Sequence, residues 1–402
     1  MLGADADARA PGIPLCVPEL RGNEWRYVKE CLDTNFVSSV GPFVDRFETM
    51  MAEVAGTRFA VATVNGTAAL HLALLVEGVR ADDEVLVPSL TFIAPANAVR
   101  YVGAWPVFID SEPNHWQMDP EATREFLEKE CSPVSGGLRN RRTGRRVSAI
   151  LPVHVLGFPA DMDRFIELGR RFGLPMIEDA TESLGSRYKG RHTGSIGRIG
   201  CFSFNGNKIL TTGGGGMITT DDEELARKAK YLSTQAKDDP VEYVHGETGY
   251  NYRLTNVLAA LGCAQLENLD AYVSRKQDIA RRYDHELSGV DGLSRQMAAS
   301  WAQPNEWLYT LRIDQGRFGL GSRDLLRSLS RDGIQARPLW QPLHQSPAHR
   351  GSPSVGGEVA ERLNRECLSI PCSVGLTESD QLRVIDAIRG ARDRASPRAV
   401  AP

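Results

Sequence analysis

Between Arg58 and Asp221 the chain repeats one theme: a short β-branched or apolar run, a few turn residues, then apolar residues at helical spacing. The strand candidates are RFAVATV (58–64), EVLVP (84–88), WPVFID (105–110), SAILPVH (148–154), LPMIED (174–179), GCFSFN (200–205) and GMITT (216–220). Most lack the polar alternation of a half-solvated strand, so cover on both faces is expected. Between them TAALHLALLVEG (67–78) and ADMDRFIELGRRFG (160–173) carry helical periodicity, the second opening on Asp161 or Asp163 as N-cap candidates. Such alternation predicts an α/β fold with a mostly parallel, seven-stranded sheet and binding groups at the C-terminal ends of its strands.

Beyond Asp221 the pattern becomes long helical stretches over 222–234 and 254–290, the second longer than one globular helix and expected to kink near Asn268. WLYTLRID (307–314), SRDLLRSLSRDG (322–333) and LTESDQLRVIDAIRGARDR (376–394) then give strand, helix and final helix. This order predicts a large domain over 13–270, a smaller α+β domain over 271–392, and loose tails at 1–12 and 393–402. GSPSVGG (351–357) reads as a flexible surface loop.

No stretch approaches the roughly 20 continuous apolar residues of a membrane span. The first dozen residues also lack the basic start and apolar core of a signal peptide. A cytoplasmic chain with no membrane partner is expected. With 47 Lys+Arg against 51 Asp+Glu the net charge is −4, which removes the broad basic surface that nucleic-acid binding requires. The one basic cluster, Arg139, Arg141, Arg142, Arg145 and Arg146, encloses Thr143 and Gly144 and reads as a solvated hairpin tip. Seven scattered cysteines, without a close pair, read as free thiols in a reducing compartment and give no metal site.

Lys208 lies in SFNGNK, directly after a predicted buried strand and before the glycine run 213–216. Burial lowers a lysine pKa because the charged form loses hydration, and a neutral amine can form a Schiff base with an aldehyde. A lysine there can also simply reach a loop carbonyl. Asp179 ends LPMIED, so its carboxylate is expected at the C-terminal edge of the sheet, where it can pair with a pyridinium nitrogen or cap a helix. Asn65, Gly66 and Thr67 follow the first strand and open a helix, whose free N–H groups favour an anion. Ser203 can add a hydroxyl to the same anion, and Phe92 can cover one face of an aromatic ring or join the core. An amine, a strand-end carboxylate, an anion cradle and an aromatic cover at one sheet edge describe a pocket for pyridoxal phosphate (PLP).

The motifs NGTAAL (65–70), PSLTFIAPANA (88–98), IEDATESLGSRYKGRHTG (177–194), SFNGNKILTTGGGGM (203–217) and GYNYRLTNVLAALGCAQLE (249–267) resemble those of the DegT/DnrJ/EryC1/StrS aminotransferases, which act on nucleotide-linked keto sugars. The resemblance runs from about Ile13 to Ile388. IEDATESLGS, SFNGNK and GNEWRYVKECLDTNFVSSVG are most similar to the branch serving legionaminic-type and bacillosamine-type amino sugars. The resemblance implies a fold-type I PLP enzyme, a homodimer with shared sites, L-glutamate as amino donor and UDP-4-keto-6-deoxy-N-acetylglucosamine or a close relative as acceptor. It implies that Lys208 binds PLP covalently, Asp179 meets the pyridine nitrogen, Gly66, Thr67, Ala68 and Ser203 hold the phosphate, and Phe92 stacks on the ring. Asn251 corresponds to the residue that a neighbouring subunit lends to the phosphate, and His154 is placed at a strand end near the cofactor, where it can also be a hydrogen-bonded structural histidine. Glu182 stands where the family commonly has glutamine facing O3′ of the ring. Trp307, Arg337 and Trp340 are candidate contacts to nucleotide or sugar, with aromatic core packing an equal explanation of the two tryptophans. Related sugar dehydratases carry histidine in place of the lysine, and a non-catalytic sensor on this scaffold would lack Lys208 or Asp179; both residues are present.

Overall fold

The computed structural model describes residues 12–239 and 241–395. Each of the seven runs forms a strand: β1 Phe59–Thr63, β2 Glu84–Pro88, β3 Trp105–Ile109, β4 Arg146–Ile150, β5 Ile177–Asp179, β6 Ile199–Ser203 and β7 Gly216–Thr220. β3, β2 and β4 pair in parallel, as do β5 and β6. Bridges Ile150–Met176 and Val153–Asp179 join these two blocks, also in parallel. β7 runs antiparallel between β6 and β1, which completes the order β3-β2-β4-β5-β6-β7-β1. Alternate residues feed two apolar clusters: Val85, Val87 and Phe108 belong to one, Leu86, Val107 and Ile109 to the other. Both faces are covered, which is why most of the runs carry no polar alternation.

Helix α1, Gly66–Val76, follows β1 and is buried at nearly every position from Gly66 to Leu74. That burial explains its apolar residues all round rather than on one stripe. The long helical stretch divides into α2, Asn256–Leu266, and α3, Leu269–Leu287. Asn268 stands at the break and turns its side-chain amide back onto the Ala264 carbonyl at 3.1 Å. The boundary expected at 270 falls in the first turn of α3. A second, antiparallel sheet comes next, built from β8 Leu293–Arg295, β9 Tyr309–Ile313, β10 Arg337–Pro338 and β11 Cys367–Ile370 in the order β8-β9-β11-β10. The larger apolar cluster continues from Phe204 and Leu254 through Ile279 to Tyr309 and Ile385.

Two local expectations fail. Within 351–357, Ser354 and Val355 pair in parallel with Phe108 and Ile109 of β3, so this segment extends the sheet rather than forming a loose loop. Asp110, just past β3, anchors the start of the helix Glu358–Glu366 by accepting the Gly357, Val359 and Ala360 N–H groups at 2.8–3.1 Å. Asp161 precedes its helix without capping it, because its carboxylate accepts the Tyr188 hydroxyl at 3.0 Å instead. The tails expected at 1–12 and 393–402 lie, apart from Gly12 and residues 393–395, outside the described residues. Among the described residues no helix is long and apolar enough to cross a membrane.

Candidate active site

Strand direction fixes the site. β1 and β6 point the same way, and register sets Thr63 and Ser203 on either side of Gly216, while Asp179 lies opposite Cys201 on the next strand. The C-terminal ends of β1, β5 and β6 therefore meet at one edge. A Cβ on Gly216 would come within 2.4 Å of the Asn65 carbonyl and 2.7 Å of the Gly66 nitrogen. Only glycine lets β7 pass this close to the start of α1. A Cβ on Gly66 would likewise lie 2.8 Å from Ser203 Cβ and 3.2 Å from Thr181 Cγ2. Gly66, Thr181 and Ser203 thus wall a small polar cradle.

Within that cradle the first-turn N–H groups of Gly66 and Thr67 have no partner inside the helix. The Ala68 N–H is already taken, since the Asn65 side-chain oxygen accepts it at 2.8 Å as an N-cap. Among the described residues Ser203 Oγ has no hydrogen-bond partner. A phosphate suits these groups: the helix start is polarised positive and the side-chain hydroxyl remains available.

Asp179 is 1% exposed and accepts the Thr181 N–H at 3.0 Å. Burial pushes its carboxyl above the usual range, opposed by Thr181 and by the nearby Lys208 and His154. A buried carboxylate with no ion-pair partner among the described residues fits a protonated ring nitrogen. Lys208 is half-buried, its Nζ 4.1 Å from the centre of the Trp307 ring. Burial lowers its pKa, against the pull of Glu182 and Asp179. Glu182 is buried and accepts the Leu156 N–H at 2.7 Å, with Leu156 held at a left-handed φ of 60°. Burial lifts the Glu182 carboxyl to about 7, chiefly against the opposing Lys208 charge.

Phe92 lies past β2 and is 52% exposed, which sets it apart from the core. His154 is fully buried beside Asp179, and both ring nitrogens are occupied: Nδ1 accepts the Ala160 N–H at 3.1 Å and Nε2 donates to Glu178 at 3.0 Å. No nitrogen of His154 is left for a ligand. Asn251 is exposed and forms a backbone bridge to Thr234, beside Tyr252, whose carbonyl accepts the Val64 N–H at the end of β1. It does not join the other site residues within this chain. Trp307 is buried under Lys208, whereas Arg337 is exposed and bonds the carbonyl of Ala336 beside it.

Sequence reading missed Thr181, Glu178 and Asn305. Asn305 donates from its amide to the Glu182 and Leu184 carbonyls and accepts the Trp307 N–H, tying together the segments that carry Glu182 and Trp307. No local signal marks its amide donors, whose contacts lie about 120 residues away in sequence.

The chain matches the DegT/DnrJ/EryC1/StrS aminotransferase family over residues 18–389. EpsN of Bacillus subtilis is 41% identical over 380 residues, covering 94% of this chain and 95% of its own. The GDP-perosamine synthase of Caulobacter vibrioides is 40% identical, covering 94% and 98%. Among solved structures, DesV of S. venezuelae in complex with a ketimine intermediate superposes with a TM-score of 0.84 at 32% identity, covering 96% of this chain and all of that one.

The raised Glu182 carboxyl sets a pH dependence. A carboxyl whose pKa is higher in the folded chain adds stability below its unfolded value of 4.5 and loses that contribution as pH rises through about 7. The interval corresponds to roughly 3 kcal/mol. Urea unfolding of the cofactor-free protein is expected to show wild type losing stability relative to Glu182→Gln between pH 5 and pH 8 by an amount of that order. A wild type that holds or gains stability relative to Glu182→Gln over that interval contradicts the burial effect.

Proposed function

Because this chain belongs to the DegT/DnrJ/EryC1/StrS aminotransferase family, we propose that it carries an amino group from L-glutamate to a nucleotide-linked 4-keto-6-deoxy sugar. It is a PLP-dependent sugar aminotransferase. What supports this chemistry is Lys208 lying near Asp179 and Glu182, with the Gly66–Ser203 cradle at the same sheet edge. When bound, PLP supplies an electron sink for the carbon that loses its proton.

In this reading Lys208 holds the cofactor and, once released, takes the proton from Cα of the amino donor, for which burial favours the neutral amine that can accept it. Asp179 keeps the pyridine nitrogen protonated. Gly66, Thr67 and Ser203 bind the phosphate; Ala68 supports them through the N-cap rather than through its own N–H. Phe92 covers the ring from the exposed side, and Glu182 faces O3′. His154 fixes the strand end and touches no substrate. UDP-4-keto-6-deoxy-N-acetylglucosamine is the acceptor that the sequence motifs put first. A GDP-linked sugar is the second reading, favoured by the relatives named GDP-perosamine synthase from Caulobacter vibrioides, Escherichia coli O157:H7 and Vibrio cholerae.

Purified PLP-loaded protein given glutamate and a panel of UDP-, GDP- and dTDP-4-keto-6-deoxy sugars is expected to yield an amino sugar from one nucleotide series, detected by product mass, with 2-oxoglutarate in equal amount. An absence of amino product across the panel overturns the assignment.

The sites are proposed to be shared across a homodimer, with the exposed Asn251 reaching the partner's phosphate. Mixed dimers of Lys208→Ala and Asn251→Trp chains should then regain activity that neither parent shows, because one of their two sites carries neither change. Mixtures no more active than the parents contradict sharing.

A further inference from the structure

Lys276 on α3 is 2% exposed and pairs with no Asp or Glu among the described residues. Its ammonium donates to the Trp307 and Cys372 carbonyls at 2.6 Å each and to Cys372 Sγ at 3.3 Å. Glu306, which also acts on it electrostatically, is committed to Arg295 at 2.6 Å. A buried cation needs a counter-charge, and the group in contact that can supply one is the Cys372 thiol.

A second thiol is beside it. The Cys372 N–H donates to the Leu15 carbonyl at 2.9 Å and the Val17 N–H to Ser373 Oγ at 3.0 Å, which aligns residues 15–17 with 372–373. Its neighbour Cys16 and the Lys276 ammonium push the Cys372 thiol down against its burial, and its Sγ also lies 3.5 Å from the Trp307 carbonyl. The same pairing pushes Cys16 up. Two thiols pushed in opposite directions are thus held together. Cys372 is 1% exposed, whereas Cys16 is only partly buried and opens the pair towards solvent.

Cys16 Sγ donates to the Asn207 carbonyl at 3.4 Å, and the Trp307 indole donates to that same carbonyl at 2.7 Å. Asn207 precedes Lys208, and the Trp307 ring faces the Lys208 amine. The pair therefore touches the segment that sets Lys208.

We propose that Cys16 and Cys372 form a hydroperoxide-oxidised thiol pair whose disulfide slows amino transfer. The Cys372 thiolate attacks a peroxide oxygen; an S–O bond forms as the O–O bond breaks, and the departing hydroxide takes a proton to become water. Cys16 then attacks the oxidised sulfur, the S–S bond forms, and the second oxygen leaves as hydroxide that takes up the Cys16 proton. Two thiols and one hydrogen peroxide give one disulfide and two waters. The disulfide removes both the counter-charge of Lys276 and the Cys16 donor to the Asn207 carbonyl. The slowing rests on the amino-transfer reading; disulfide formation does not, and the two are measured separately.

The holoenzyme is treated with hydrogen peroxide, remaining thiols are alkylated, and the digest is mapped by mass. A peptide joining Cys16 to Cys372 is expected, with Cys31, Cys131, Cys201, Cys263 and Cys367 alkylated. Turnover should fall roughly fivefold, about the worth of one hydrogen bond, and return with dithiothreitol. Cys16→Ser and Cys16→Ala should both keep their turnover in peroxide. No joined peptide, or preferential oxidation at another cysteine, overturns the pair. A joined peptide with unchanged turnover, or equal loss in the Cys16 variants, overturns the slowing.

Discussion

Glu178 carries a carboxylate with no exposed surface, and four donors converge on it: His154 Nε2 and the N–H groups of Gly194, Ile196 and Gly197. Those donors belong to the segment after β4 and the turn before β6, while Glu178 lies in β5, so one side chain ties three neighbouring chain segments. Each donor is satisfied only in this arrangement, and an unpaired buried carboxylate would be costly. The same contacts fix Asp179, the next residue, whose side chain points to the opposite face of the strand. Chemistry at the edge depends on this structural carboxylate on the far side of β5.

Electrostatics then divides the labour among three ionisable groups, the buried Asp179 and Glu182 and the half-buried Lys208. Asp179, Glu182 and Lys208 all lose hydration, which lifts the two carboxyls and lowers the amine. Their mutual attraction opposes those shifts without cancelling them. Groups pushed in this way from their ordinary ranges suit proton exchange near neutral pH. Backbone detail supports the arrangement: Leu156 adopts a left-handed φ to aim its N–H at Glu182, and Asn305 holds the Glu182 carbonyl from the far end of the chain.

The strands were legible because a run covered on both faces has no need to alternate, and most of the seven runs lack alternation. The break near Asn268 was legible because a helical pattern far longer than a globular helix must turn. Lys208, Asp179, Gly66 and Ser203 could be placed at one edge from strand direction alone. Other features depended on contacts that no local pattern encodes. Ser354 and Val355 pair through their backbones, so their side chains carry no strand signature. Ala68 reads as a phosphate ligand by position, yet the Asn65 side chain occupies its N–H. His154 reads in sequence as a site member or a structural histidine, and in the fold both of its ring nitrogens are engaged.

Lys208 is the amine proposed to bind the cofactor. Borohydride reduction of the PLP-loaded protein, followed by digestion and peptide mass mapping, tests it directly. A pyridoxyl group is expected on the peptide that contains Lys208, with Lys276 and the remaining lysines unlabelled. A pyridoxyl group on any other lysine, or none on Lys208, would contradict it.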